Sequence, residues 1–325
     1  MGAESDKIEG IYDLLQRLNS LEGYVFRGQR CSTWHLVPSY CREKGKKRIQ
    51  EVDKGIGMNV LSISNYSMDI ISEDDIHKMS HLFFFLCNEQ GLQLPSTNYH
   101  VAITNKMLFT QDFSFIEGKG GCTRDYTRLF SLMQHYGFCT PLLDWSFDPL
   151  IAIYFATIDA IRYIVKEYEQ LIHYKDEFEI DDDKIDNYMK KLFSSSLSIW
   201  ALKKNNSKIN KDMIIILPEY RGNENLCAQK GIFTLVTSNG PEDSSNRSIL
   251  NIDELIEKLV NPLNPECELI QYNVGYCYLQ ELFQYLYRNN VNANRLFPGY
   301  IGAVKTIEEL GLYVAYTDLE IKYSQ

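Results

Sequence analysis

The sequence predicts an α+β fold, a mixed or antiparallel sheet flanked by helices, and three observations carry that prediction. Short runs of branched and aromatic residues, Ser196–Leu202, Met213–Leu217, Gly231–Thr237 and Cys267–Val274, alternate with polar loops in the second half of the chain, which is the pattern of strands. Helical spacing of apolar residues opens the chain and returns at about 58–93 and 278–288. Between these regions Leu150 to Ala156 is apolar all round, so a helix there belongs inside the protein. At 325 residues, with 45% hydrophobic and 13% aromatic side chains, the chain holds ample material for one large core. One domain over 1–325 is expected, its core at about 20–300, with helical insertions near 58–93 and 164–191.

Taken in order, Ile8, Ile11, Tyr12, Leu14, Leu15 and Leu18 fall at helical spacing, with Ser5 as a candidate N-cap and Gly23 as a stop. Tyr24-Val-Phe reads as a strand broken by Gly28, which puts Arg27 at a strand end. Residues 29–42 carry the anchors Trp34, Leu36, Pro38 and Ser39 and are expected to fold back over that end. Phe83, Phe84 and Phe85 lie in a helical segment bounded by Asp74-Asp75 and Gly91, and a loop at Lys119-Gly120-Gly121 leads into a helix carrying Tyr126, Leu129, Phe130 and Met133. Gly137 can take the left-handed conformation that closes this helix, and Pro141 forbids helix just beyond it. Gln134, His135 and Tyr136 therefore sit at a helix C-terminus facing a loop.

Asp148-Pro149 restarts a helix, because an Asp side chain accepts orphan amide protons and a first-position proline lacks a proton that would go unbonded. Ala152 and Ala156, one turn apart, permit close backbone approach. Ile164 to Lys191 is charge-dense and reads as a solvated helical insertion. Beyond the strands, Tyr278 to Arg288 reads as an amphipathic helix, Leu312 to Asp318 as a last strand, and Ser238 to Arg247 as a surface loop.

The formal net charge of -10 argues against a general hold on phosphate backbones, which depends on clustered Lys and Arg. Eight cysteines without a CxxC pair are expected to be reduced thiols of a cytoplasmic protein, with no disulfide and no metal site. The longest apolar runs are far too short to span a bilayer, so no membrane partner is expected.

Phe26-Arg27-Gly28-Gln29 is similar to the aromatic-Arg-Gly motif that names the FRG domain family. Further blocks follow in the family's order: Trp34 with Leu36-Val-Pro38-Ser39, Gln134-His135-Tyr136-Gly137 through Thr140, Leu143-Asp144-Trp145, Asp148-Pro149 to Phe155-Ala156, Ala228-Gln229-Lys-Gly231-Ile-Phe233 and Leu296-Phe297-Pro298. Where the family usually has Thr-Arg-Leu-Leu-Asp, this chain has Thr140-Pro141-Leu142-Leu143-Asp144, so that arginine's role is absent. More distantly, the chain resembles ADP-ribosyltransferases of the Arg-Ser-Glu type, with Phe26-Arg27-Gly28 as their first strand and Thr140 to Ala156 as their second strand and buried helix. Their catalytic glutamate is missing, since the third strand is preceded by Gln229.

The second resemblance implies NAD as a substrate, an NAD-dependent ADP-ribosyltransferase or NAD glycohydrolase, and no metal. The alternative is a catalytically silent module that binds a nucleotide-type small molecule or a protein. The implied catalytic set is Arg27, His135, Asp144 and Gln229, and the implied NAD-binding set is Arg27, Gly28, Gln29, Gln134, Tyr136, Thr140 and Trp145. ADP-ribose transfer passes through an oxocarbenium-like cation and asks for a cationic clamp on the diphosphate, a platform for nicotinamide and a carboxylate near the ribose. Arg27 suits the clamp, because its planar fork binds phosphate bidentately, and equally suits a structural pairing with Asp144. His135 can protonate a leaving group or position a ribose, or simply cap its helix. Trp145 and Tyr136 can stack on a flat ring or pack in the core. Asp144, between Leu143 and Trp145, is expected in a dry setting, either supplying the charge Gln229 lacks or accepting structural hydrogen bonds. Gln229 can position a ligand amide or hydroxyl.

Overall fold

A computed structural model describes residues 4–43, 45, 47, 73–94, 122–175, 177, 181–203, 213–218, 220, 223–236 and 268–323. Their strands are β1 (Glu4–Lys7), β2 (Tyr24–Gln29), β3 (Leu142–Ser146), β4 (Ser196–Lys203), β5 (Met213–Ile216), β6 (Gly231–Val236) and β7 (Leu269–Gly275). They form one mixed sheet of order β1-β7-β4-β2-β3-β6-β5, antiparallel throughout except where β1 joins β7 in parallel. The helices are α1 (Ile11–Asn19), α2 (Glu73–Glu89), α3 (Cys122–His135), α4 (Pro149–His173), α5 (Asp182–Phe193), α6 (Glu224–Ala228), α7 (Leu279–Arg288), α8 (Ala293–Leu296) and α9 (Tyr300–Tyr323). The α+β class is as the sequence predicts.

Helix α4 is the centre of the molecule. It starts as expected, with Asp148 accepting from the Leu150 amide at 3.0 Å and Pro149 in the first turn. Ile151, Ala152, Ile153, Tyr154, Ala156 and the following buried residues as far as Val165 pack against Phe26 of β2 and Leu197, Ile199 and Ala201 of β4. The helix sits unusually close to β2. A Cβ on Gly28 would lie 1.9 Å from the Ala152 carbonyl oxygen and 2.9 Å from the Ala156 Cβ, so only a hydrogen fits there. The small residues at 152 and 156 and the glycine at 28 are therefore one contact. On the opposite side of the sheet, Val25, Leu143, Trp145, Trp200, Leu202 and Ile232 form a second cluster, capped by Leu36 from the segment that follows β2. A third cluster joins α2 and α3 to β3 and β6 through Phe84, Leu129, Phe130, Met133, Leu142 and Phe233.

Four local expectations differ from the structure. Residues 4–7 pair with β7 as a strand, so the N-cap position of α1 falls at Gly10 and not at Ser5. Arg27 lies within β2 rather than at its end. Residues 164–173 continue α4, and α5 turns Ile185, Met189, Leu192 and Phe193 into the core, so the charged segment is amphipathic and not a wholly solvated insertion. Leu312 to Asp318 is helical, part of α9. The loops read at 119–121 and 238–247 lie outside the described residues. Among the described residues no helix is long and apolar enough to cross a membrane.

Filling the Gly28 contact tests the central packing. Gly28→Ala is expected to lower stability by about 1–3 kcal/mol, the usual cost of forcing extra volume into a packed core, and a thermal melt that matches the wild type would show that α4 does not depend on this approach.

Candidate functional site

Strands β2 and β3 are neighbours joined at a single register position, Phe26 opposite Ser146. Beyond that pair they part, and Arg27 occupies the seam. Its Nη1 donates to the backbone carbonyl of Asp144 at 2.8 Å and lies 3.7 Å from the Asp144 carboxylate. Alternation along β2 puts Arg27 on the side of Val25 and Trp145, while Asp144 alternates with Trp145 and faces α3. The guanidinium thus reaches across the opening between the strands, replacing ladder hydrogen bonds with a charged one.

The carboxylate is held from the other side by a relay. Thr140 Oγ1 donates to Gln134 Oε1, and Gln134 Nε2 donates to Asp144 Oδ1. Thr140 is itself anchored, its amide donating to Ser39 Oγ at 3.0 Å while Ser39 Oγ donates to the Thr140 carbonyl at 3.1 Å. Gln134 can take this position because α3 ends one residue later in a Schellman turn: Gly137 has φ of 80°, its amide donates to the Gln134 carbonyl, and the Phe138 amide donates to the Met133 carbonyl, each at 2.9 Å. A carboxamide bonded at both ends cannot flip without breaking one bond, so the relay fixes the orientation of Asp144.

The Asp144 carboxylate faces a cleft of about 190 Å³ that Gln134, His135, Asn225, Gln229 and Phe297 also line. Of the Asp144 side chain 58% stays accessible. The dry setting expected between Leu143 and Trp145 is thus corrected: those neighbours point to the opposite face of the sheet. Burial of the surroundings still raises the Asp144 carboxyl above its ordinary value, against the opposing pull of Arg27, Arg42 and the Gln134 hydrogen bond. Arg27 shows the mirror effect, since burial lowers its guanidinium to about 10 while Asp144 works the other way, and it remains charged at neutral pH. Its Nε is buried with no hydrogen bond among the described residues.

His135 and Gln229 share the cleft with Asp144. His135 is the last residue of α3 and meets the edge of the Tyr136 ring at 4.9 Å between centroids. Gln229 caps α6 just before β6, its Nε2 donating to the Leu296 carbonyl at 3.1 Å. Phe297 forms a wall, edge-on to Phe155 and covered by the Lys305 ammonium at 4.8 Å.

Other residues in the implied NAD-binding set serve the scaffold. Trp145 is 3% exposed and donates from Nε1 to Thr234 Oγ1 at 2.9 Å, so it is a core residue and not a stacking platform. Thr140 is fully buried and acts through Gln134. Gln29 is buried, accepting from Trp200 Nε1 at 2.9 Å and donating to the His35 carbonyl at 3.2 Å. Gly28 faces α4 and is not among the residues lining the cleft. Tyr136 is exposed and is not among the residues lining the cleft. Sequence reasoning missed Asn223 and Asn225. Asn223 is the N-cap of α6, accepting from the Leu226 amide at 3.0 Å; its cap signature was readable, but a five-residue helix leaves no periodicity to frame it.

Because the folded chain holds the Asp144 proton more tightly than an unfolded chain would, this carboxyl favours folding most at low pH and loses that contribution as pH rises through its folded value. Asp144→Asn, which keeps the shape of the neutral form, is expected to melt above the wild type at pH 7, with the gap closing below about pH 4. A gap that widens on acidification would reverse the assignment.

Residues 22–163 match the family model described as the FRG domain. No curated protein and no solved structure matches the chain.

Proposed function

The chain carries an FRG domain, and we propose that this domain binds a nucleotide-type ligand in the cleft and breaks its N-ribosyl bond, as an NAD glycohydrolase or NAD-dependent ADP-ribosyltransferase. The observation that supports this reading is the Asp144 carboxylate, oriented by Gln134 and Arg27 and open to a cleft that His135, Gln229 and Phe297 share. The matched segment supplies Gln134, His135 and Asp144, while Asn225, Gln229 and Phe297 come from beyond it, so the cleft draws on more of the chain than the family match.

When the bond from ribose C1′ to the nicotinamide nitrogen breaks, its electron pair leaves with the ring and the ribose is left as an oxocarbenium-like cation. A fixed anion beside that carbon stabilises the cation without reorganising. Asp144 fills this role in place of the glutamate that Gln229 replaces. Phe297 offers an aromatic edge to a flat ring, and the carboxamides of Asn225 and Gln229 match an amide or hydroxyl on the ligand. A cleft of about 190 Å³ takes one ring-sized group, so the rest of the dinucleotide extends along the surface outside it.

Arg27 takes a different part from the diphosphate clamp that the distant resemblance implies. It is 13% exposed and bonded to Asp144, so we assign it as a positioning residue that fixes the carboxylate and keeps it charged. The same bonding favours the second reading, a silent nucleotide- or protein-binding module, because it gives the pair a structural use.

Calorimetric titration with NAD and a nicotinamide-release assay separate the two. The expected result is turnover by the wild type, with Asp144→Asn binding NAD within about threefold of normal while turnover falls by about 100-fold or more. Arg27→Gln is expected to move the acid limb of the kcat profile to higher pH, because the carboxylate loses its cationic neighbour. Wild-type protein that neither binds nor consumes NAD, with candidate protein acceptors present, would leave the interaction module.

A further inference from the structure

Helix α9 is apolar on two sides, and the described residues cover one of them. Its inner side buries Tyr316, Leu319 and Tyr323 against the core, together with Glu309, which accepts from Tyr154 of α4. Its outer side carries Tyr300, Val304, Ile307, Gly311, Val314, Asp318 and Ile321, which recur in alternating steps of four and three, and every one is exposed. That spacing is the seam of a helix that pairs with another helix. With the flanking Ile301 and Leu310, this side of the helix exposes seven large apolar side chains, a run that monomers rarely leave uncovered and the kind of surface from which one partner's share of a standard interface, about 800 Å², is built.

The two glycines of α9 give a second, independent sign. At Gly302 a Cβ would lie 2.0 Å from the Phe297 carbonyl oxygen, so packing within the chain requires glycine. Among the described residues nothing lies within 4 Å of a Cβ at Gly311. Glycine weakens a helix interior, and no contact among the described residues repays that weakness at Gly311. It lies at the middle of the outer seam, where the absence of a side chain allows the closest approach of a second backbone.

We propose that this face is a homodimer interface, on which the same face of a second copy of the chain lies antiparallel, crossing at Gly311. The direction follows from charge. A parallel pair sets Asp318 against Asp318 in the seam, whereas the antiparallel register about Gly311 sets Asp318 beside Val304 and next to Lys305 of the other copy. A two-fold axis through Gly311 makes the contact self-complementary and closed. The net charge of -10 on each chain opposes the approach at long range, so added salt strengthens the dimer.

Sedimentation velocity of the full chain at micromolar concentration tests this. The wild type is expected at twice the 37.8 kDa chain mass, more so at 0.5 M than at 0.05 M salt. Ile307→Glu and Gly311→Leu, both at exposed positions, are expected to weaken the dimer by at least tenfold with far-UV circular dichroism and melting close to wild type. Gly311→Cys is expected to cross-link to itself under copper phenanthroline faster than the wild type's own thiols, and Val304→Cys not to. A monomeric wild type, or a dimer indifferent to both seam substitutions, overturns the interface, and cross-linking by both cysteine variants overturns its antiparallel geometry.

Discussion

The seam between β2 and β3 is held by one ladder pair and one guanidinium, and the cleft exists because of it. Continuous pairing would bring the two strands together and leave Asp144 as one more residue on a closed sheet. With pairing limited to Phe26 and Ser146, the strands part, and the Asp144 carbonyl finds its donor in Arg27. Burying that cation is costly. Its charge is balanced by a carboxylate that remains open to solvent on one side, so the pair combines a buried half, which fixes geometry, with an accessible half, which can meet a ligand.

What keeps the seam from closing or widening is the rigidity on either side. Helix α4 lies so close to β2 that Gly28 has no room for a side chain, which ties the strand to the largest element of the core. On the other side, α3 ends in a turn set by Gly137 that delivers Gln134 to Asp144 and to Thr140, and Thr140 is bonded twice to Ser39 in the segment following β2. The relay therefore runs from the segment after β2, through α3, back to β3. A ligand group on Asp144 meets a carboxylate whose orientation has already been determined, which is what makes a fixed charge effective.

The cleft and the outer face of α9 are also connected. Phe297, a wall of the cleft, lies three residues before the first seam residue Tyr300, and Lys305, beside the seam position Val304, covers the Phe297 ring. The carboxylate Glu309 on the buried side of α9 bonds Tyr154 and the amide of Ala293, locking α9 to α4 and to the start of α8. Whatever docks on the outer face rests on an element rigidly joined to the cleft wall.

Much of this was legible in the residues, and the reasons differ by element. Asp148-Pro149 and Gly137 act through bonds within a few residues of themselves, so the start of α4 and the end of α3 could be read locally. The motif order pointed to Arg27, Asp144, His135 and Gln229 together; in space Asp144, His135 and Gln229 line the cleft, while Arg27 is not in its lining and reaches it only by bonding Asp144. The solvent exposure of Asp144 was not, because alternation places a side chain on one face or the other but cannot say which face a cleft will open. Trp145, Thr140 and Gln29 look like binding residues in sequence and are core residues in space, since only the fold decides which buried polar atoms satisfy one another. Strand β1 is a polar tetrapeptide, and its pairing with β7 uses backbone groups that carry no sequence signal. Helix α9 was obscured by its own composition: apolar residues on two faces erase the single-faced periodicity that marks a surface helix, so Leu312 to Asp318 read as a strand. The sequence by itself determined where α4 starts, where α3 ends and which residues share the central motif, because those are local bonds; the seam, the cleft and the exposed outer face of α9 were decided by tertiary structure, because each depends on how far apart separate elements come to rest.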